Sequence, residues 1–186
     1  MKTIILFFLF AIFSWALPAT AESIHLEDLA KGSHGKVIFI RHAIAPGMGD
    51  PGNFSLGDCS TQRNLNEAGR RQARAIGQKI REAGIVIDKI YSSQWCRCLE
   101  TAKLLNAGPV HPFSGLNSFY EQTEKEDAFL SELDKLIATF DKKRGLVIMV
   151  THYVTIAAVT DKSTDSGSGV VLSLKDRSVK TIIDLN

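Results

Sequence analysis

Lys36-Val37-Ile38-Phe39-Ile40-Arg41-His42 decides the reading of this chain. Four consecutive β-branched or aromatic apolar residues, entered from the glycine-bounded Gly32-Ser33-His34-Gly35, read as a short strand buried on both faces. The run ends abruptly on a guanidinium and an imidazole. A strand apolar on both faces needs cover on both sides, as in α/β layered folds. In such folds ligands sit beyond the carboxyl ends of the strands. The residues following each strand are therefore the ones to inspect.

Downstream, the loop Ala45 to Asn64 is rich in Gly, Pro, Asp and Asn. Asn66 can cap a helix whose apolar positions Ala73, Ile76, Ile80 and Ala83 recur at helical spacing, with Gly84 as its stop. Ile87 to Ser92 reads as a second strand, followed by a helix from about Gln94 to Asn106. Asp127 to about Lys142 is amphipathic, with Phe129, Leu130, Leu133, Leu136, Ile137 and Phe140 on one face. Leu146-Val147-Ile148-Met149-Val150 is an uninterrupted apolar run suited to a central strand. A short helix over Val154 to Thr160 comes next, then two strand-like runs, Gly169 to Leu174 and Val179 to Leu185. Strands alternating with helices predict a three-layer α/β sandwich with a mostly parallel central sheet.

Three of these strands end in polar groups: Arg41-His42, Ser92-Ser93 leading to Arg97, and Thr151-His152. A parallel sheet brings all of them to one edge. Guanidinium groups match phosphate oxygens in bidentate geometry and stay charged. A neutral imidazole can attack phosphorus, dividing one difficult displacement into two easier ones. Neighbouring arginines disfavour imidazolium and so keep His42 nucleophilic.

Here the chain resembles the histidine phosphatase superfamily, the group that includes phosphoglycerate mutases and histidine acid phosphatases. Arg41-His42-Ala43 matches its opening Arg-His-Gly. Leu65-Asn66-Glu67-Ala68-Gly69-Arg70-Arg71-Gln72-Ala73 matches its Leu-Thr-x-x-Gly-x-x-Gln-Ala helix. Ser93 to Ala102 follows Ser-x-x-x-Arg-x-x-x-Thr-Ala, and Val150-Thr151-His152-Tyr153 is similar to Val-x-His-Gly. The match runs from about Val37 to Thr155 in the family's order. The resemblance implies that His42 is the phosphorylated nucleophile and that Arg41, Arg97 and His152 complete the phosphate pocket. It also implies an acidic proton donor, for which Glu121 is the positional candidate, with Glu124 and Asp50 as rivals. The expected activity is phosphomonoester hydrolysis without metal or cofactor. A phosphomutase and a non-catalytic phospholigand-binding module are the alternatives.

Two departures carry structural expectations. Ala43 stands where the family has Gly, so the backbone there should avoid positive φ. Tyr153, in place of Gly, is expected to narrow the pocket or to contribute to substrate selection. Arg63 is an auxiliary candidate for an anionic substrate, whereas Arg70 and Arg74 read as a solvated helix face. Gly32 to Lys36 precedes its strand and lacks phosphate-loop spacing, so it is a turn. His25, His34 and His111 show no metal-ligand spacing.

The first 21 residues read as a targeting segment. Lys2 precedes the apolar stretch Ile4 to Leu17, and Ala19-Thr20-Ala21 offers a small-x-small cleavage pattern. A single domain over 22–186 is expected, exported to a periplasmic or extracellular space; a retained N-terminal anchor is the alternative. No cysteine sits immediately after the cleavage point, so no bacterial-type lipid anchor is expected. Without Lys2 the chain is close to neutral, against an obligatory nucleic-acid partner. Three cysteines in an oxidising compartment suggest one disulfide and one free thiol. Cys96 and Cys98 are too close to bridge each other, which pairs Cys59 with Cys96 or Cys98; three reduced, buried thiols is the alternative. For an exported enzyme, a sugar phosphate or an envelope glycolipid phosphate suits the compartment. The segments 45–59 and 110–127 are expected to shape specificity. Oligomeric state is not legible.

Overall fold

In the computed structural model, which describes residues 22–186, the apolar run at the start of the argument is strand β2 (Lys36–Arg41) at the heart of a seven-stranded sheet. The targeting segment expected at residues 1–21 lies outside the described residues. The remaining elements are β1 (Ser23–Ile24), α1 (Leu26–Ala30), α2 (Glu67–Glu82), β3 (Ile87–Ser92), α3 (Cys96–Leu104), β4 (Val110–Pro112), α4 (Glu126–Ala138), β5 (Leu146–Thr151), α5 (Tyr153–Thr160), β6 (Gly169–Ser173) and β7 (Val179–Ile182). Strand order is β1-β7-β6-β2-β5-β3-β4. β2 is parallel to β5, β5 to β3, β3 to β4 and β1 to β7; β6 alone runs against its neighbours.

The two-residue alternation of β2 and β5 builds the layers. Ile38, Ile40, Leu146, Ile148 and Val150 face one core with Leu29 of α1, Ile76 and Ile80 of α2, and Cys98 and Ala102 of α3. Val37, Phe39, Val147 and Met149 face the other, against Leu133 and Ile137 of α4 and Ile156 of α5. The fold is therefore the three-layer α/β sandwich that the alternation of elements implies.

Asn66 caps α2, its side chain accepting from the Gly69 amide at 2.8 Å, and Gly84 follows the helix at φ +70°. Among the boundaries that differ from the sequence reading, three concern the packing around the site and the core. α4 stops at Ala138, four residues short, because the Asp141 side chain accepts from the Lys143 amide and its carbonyl from the Arg144 amide, a turn that competes with helix. Phe140 still packs against the core. α3 begins at Cys96, two residues late, because the Asn117 side chain takes up the Gln94 amide and Trp95 stays extended. β7 ends at Ile182, although Leu185 beyond it is buried. β1, α1 and β4 are too short to leave a periodic signal.

α2 and α3 pack closely enough that a Cβ on Gly77 would lie 2.0 Å from the Leu105 carbonyl oxygen. Gly77→Ala should therefore destabilise the fold by about 1–3 kcal/mol despite its better helix propensity. Urea denaturation checks this: an unchanged or higher midpoint would show that the helices separate freely.

Candidate active site

Strand register places the polar strand ends. Arg41 pairs with Thr151 and Ser92 with Val150. The next residues continue the ladder, the His42 amide donating to the Thr151 carbonyl at 2.9 Å and the Ser93 amide to the Val150 carbonyl at 2.9 Å. His42, Ser93 and His152 thus leave the sheet at one edge. The His42 and His152 rings sit 5.5 Å apart at 69°. Both are buried, as is Arg97. Arg41, His42, Arg97 and His152 line one cavity of about 440 Å³ with Arg63, Asp50 and Glu121. Glu124 is exposed and is not among the residues that line the cavity.

His42 is prepared as a neutral base. Its Nδ1 lies 2.8 Å from the Ala43 carbonyl, which can only accept, so the proton resides there and Nε2 keeps its lone pair. Burial lowers its pKa, the Ala43 carbonyl opposes this, and Arg97, Arg63 and Arg41 lower it further, to about 3. Ala43 donates its amide to Thr101 Oγ1 at 3.0 Å. It is not among the positive-φ residues, so its side chain costs no backbone strain there.

His152 is held by a separate network. Its Nε2 lies 2.9 Å from Ser93 Oγ, which lies 3.2 Å from Asn117 Oδ1. Because Oδ1 only accepts, Ser93 donates to Asn117 and receives from His152. The Cys98 thiol lies 3.4 Å from the same Nε2. Burial, then Arg97 and His42, hold the His152 pKa well below its ordinary value. Burial also pushes the Cys98 thiol up to about 12, leaving it an unreactive neutral group.

The guanidiniums are anchored differently. Arg41 donates through Nη1 to the Thr164 carbonyl at 2.8 Å and lies 5.3 Å over the Tyr153 ring. Arg97 donates to both Asp50 oxygens at 2.8 and 3.1 Å. The Nε atoms of Arg41 and Arg97 are buried without a protein partner. Buried donors of this kind require an acceptor, and a tetrahedral oxyanion offers several. Arg63 donates Nε to the Gly49 carbonyl at 2.8 Å and Nη1 to the Ala45 carbonyl, so it fastens the loop as well as lining the cavity.

Asp50 is not placed as a proton donor. Besides Arg97 it accepts from Trp95 Nε1 at 3.1 Å and from the Arg63 amide at 2.9 Å. Burial raises its pKa, but Arg97 and the other donors outweigh this and hold it below the usual carboxylate value. Sequence reasoning missed this partnership with Arg97, which nothing local announces. It also passed over Ser93 as the partner of His152, although Ser93 heads the Ser-x-x-x-Arg pattern. Glu121 is exposed at the cavity mouth, where a Cβ on Gly49 would lie 2.6 Å from its Oε1. Gly49 takes φ +63°, a backbone conformation that favours glycine.

Cys59 is bonded to Cys96 and Cys98 is free and buried. The Cys96 amide also donates to Gln62 Oε1 at 2.9 Å, so the loop from Ala45 to Asn64 is tied to the start of α3 beside Arg97. Tyr153 lines the cavity. Among the described residues, no group of three or more His, Cys, Asp or Glu is arranged to hold a metal ion, and no helix is long and apolar enough to cross a membrane.

Residues 37–123 match the histidine phosphatase superfamily (branch 1). The chain is 35% identical over 80 residues to the mitochondrial serine/threonine-protein phosphatase Pgam5 of Drosophila virilis, covering 43% of this chain and 25% of that protein. It thus spans about a quarter of that relative's length. Among solved structures, the protein histidine phosphatase SixA complexed with tungstate superposes with a TM-score of 0.52 at 14% identity, over 78% of this chain and 93% of that one. A mutant phosphoserine phosphatase from Entamoeba histolytica in complex with phosphoserine gives 0.51 at 18% identity, over 78% and 94%. At these identities the likeness speaks for the fold.

The buried imidazole makes stability depend on pH. Unfolded, His42 titrates near 6.5; folded, near 3. Its folded pKa is depressed, so between these values the unfolded chain binds the proton preferentially. The stability contribution is full above about 6.5 and is lost as pH falls toward 3, by up to about 1.4 kcal/mol per unit. Urea midpoints should fall between pH 7 and pH 5, and fall less in His42→Gln. An equal drop in both proteins would refute the assignment.

Proposed function

We propose that this chain, which carries the branch 1 histidine phosphatase superfamily segment over residues 37–123, is an exported phosphatase that hydrolyses small phosphomonoesters through a phosphohistidine on His42. His42 Nε2 attacks phosphorus and the bond to the ester oxygen breaks. Glu121 protonates the departing alkoxide. Water then attacks the phosphohistidine, releasing inorganic phosphate and the free imidazole, with its proton passing to Glu121. Arg41, Arg97 and His152 receive the phosphoryl oxygens, so the charge that spreads onto them meets fixed donors in a site largely removed from water.

The observation that carries this reading is the state of His42: buried, its Nδ1 proton committed to the Ala43 carbonyl, its Nε2 lone pair retained, and arginines alongside. A phosphate dianion beside His152 supplies the opposite charge that favours its imidazolium, turning it into a further donor. The relative is named a phosphatase, which favours hydrolysis over phosphoryl return to a second hydroxyl. Export draws support from the segment ending Ala19-Thr20-Ala21 and from the Cys59–Cys96 disulfide, which suits an oxidising compartment.

His42→Ala should lower phosphate release from p-nitrophenyl phosphate by about 10³-fold or more while the circular dichroism of the fold is kept. Arg97→Ala should cost about 10²-fold. Turnover retained by the His42 variant would remove the nucleophile assignment. Expression of the full chain in a Gram-negative host should yield a periplasmic protein whose N-terminal sequencing begins at Glu22. An uncleaved protein in the cytoplasmic fraction would remove export.

A further inference from the structure

Above its charged floor the cavity changes character. Phe54 and Trp95 stack at 5.0 Å and 20°, and the rings of Tyr120 and Tyr153 meet at 5.8 Å. All four line the cavity, together with Met48. Met48 is 88% exposed, Tyr120 47% and Tyr153 39%, so apolar groups are held open to water around the mouth. Such groups are well placed to cover an apolar ligand and costly to leave bare.

The mouth holds no cation set aside for a second anion. No lysine lines the cavity. Arg97 is paired with Asp50, Arg63 is committed to the Gly49 and Ala45 carbonyls, and Arg41 is held by the Thr164 carbonyl and Tyr153. The remaining ionisable side chain at the mouth, apart from the tyrosines, is that of Glu121, which in either protonation state offers a second anion no positive charge.

From this arrangement we infer that the substrate's leaving group is an uncharged aromatic ring system, seated among Met48, Tyr120 and Tyr153. A bisphosphate or a carboxylated phosphoester is disfavoured, because no lysine lines the cavity and its arginines are engaged by protein groups. The inference rests on the proposed function in placing the phosphate at the His42 end, and it names the group at the other end.

The test separates binding from turnover. Benzylphosphonate, which cannot be hydrolysed, should bind roughly tenfold or more tightly than methylphosphonate by calorimetry, the scale of one buried ring. In the double variant Met48→Ser, Tyr120→Ser that preference should vanish while methylphosphonate affinity is kept. In turnover, benzyl phosphate should exceed glucose 6-phosphate in kcat/KM; both are esters of primary alcohols, which limits the difference due to leaving-group chemistry. Equal affinity of the two phosphonates, a preference that survives the double variant, or a higher kcat/KM for glucose 6-phosphate would each overturn the inference. A preserved phosphonate preference without any phosphate release would support the ring subsite and remove the hydrolytic function instead.

Discussion

The hydrogen bond from the His42 amide to the Thr151 carbonyl holds one more rung of the ladder between β2 and β5 after β2 has formally ended. The rest of the site depends on that register. Side chains alternate between faces, so a slip of one residue would send Ile38 and Ile40 into the opposite core and carry His42 away from the edge. Two differently composed cores prevent this, since each β2 side chain already has fitted partners on its own side. Burial of apolar surface thereby positions two imidazoles that contribute nothing apolar themselves.

Once gathered, the polar groups pose an electrostatic problem. Arg41, Arg63 and Arg97 converge on a region largely closed to water, where like charges repel strongly. Both histidines respond by staying neutral, and Asp50 places one negative charge against Arg97. Unpaired, a charge as deeply buried as Arg97 would be costly. The balance still leaves an excess of positive charge among the lining residues, which favours an anion. Neutral imidazoles, each with one nitrogen committed to a protein partner, preserve a lone pair that protonation would destroy.

Asp50 belongs to a loop with little secondary structure of its own, and the chain fastens that loop repeatedly. Cys59–Cys96, Gln62 to the Cys96 amide, Asp50 to Arg97 and Trp95, and Phe54 against Trp95 all join it to the start of α3. Arg63 closes the loop on itself. Gly47 and Gly49 take positive φ, and the Glu121 carboxyl group of the facing segment lies beside Gly49. A long irregular segment can carry well-placed side chains when covalent and ionic ties remove its freedom.

Much of this was legible before any coordinates. The strands β2 and β5, the capped helix α2 and the polar residues at the strand ends follow from local periodicity and turn chemistry, which act over a few neighbouring residues. The reversed direction of β6 was not legible, because a buried strand has the same apolar pattern whichever way it runs. Cys96 and Cys98 are equivalent on paper; on a helix they point about 200° apart, and only packing decided that Cys96 meets the loop while Cys98 enters the core. Likewise Asp50 reaches Arg97 across 47 residues and Ser93 reaches His152 across 59. By itself the sequence determined which side chains stand at the ends of which strands. The tertiary structure alone decided which of them touch, because those contacts join segments that share no local pattern and meet only when the two cores close.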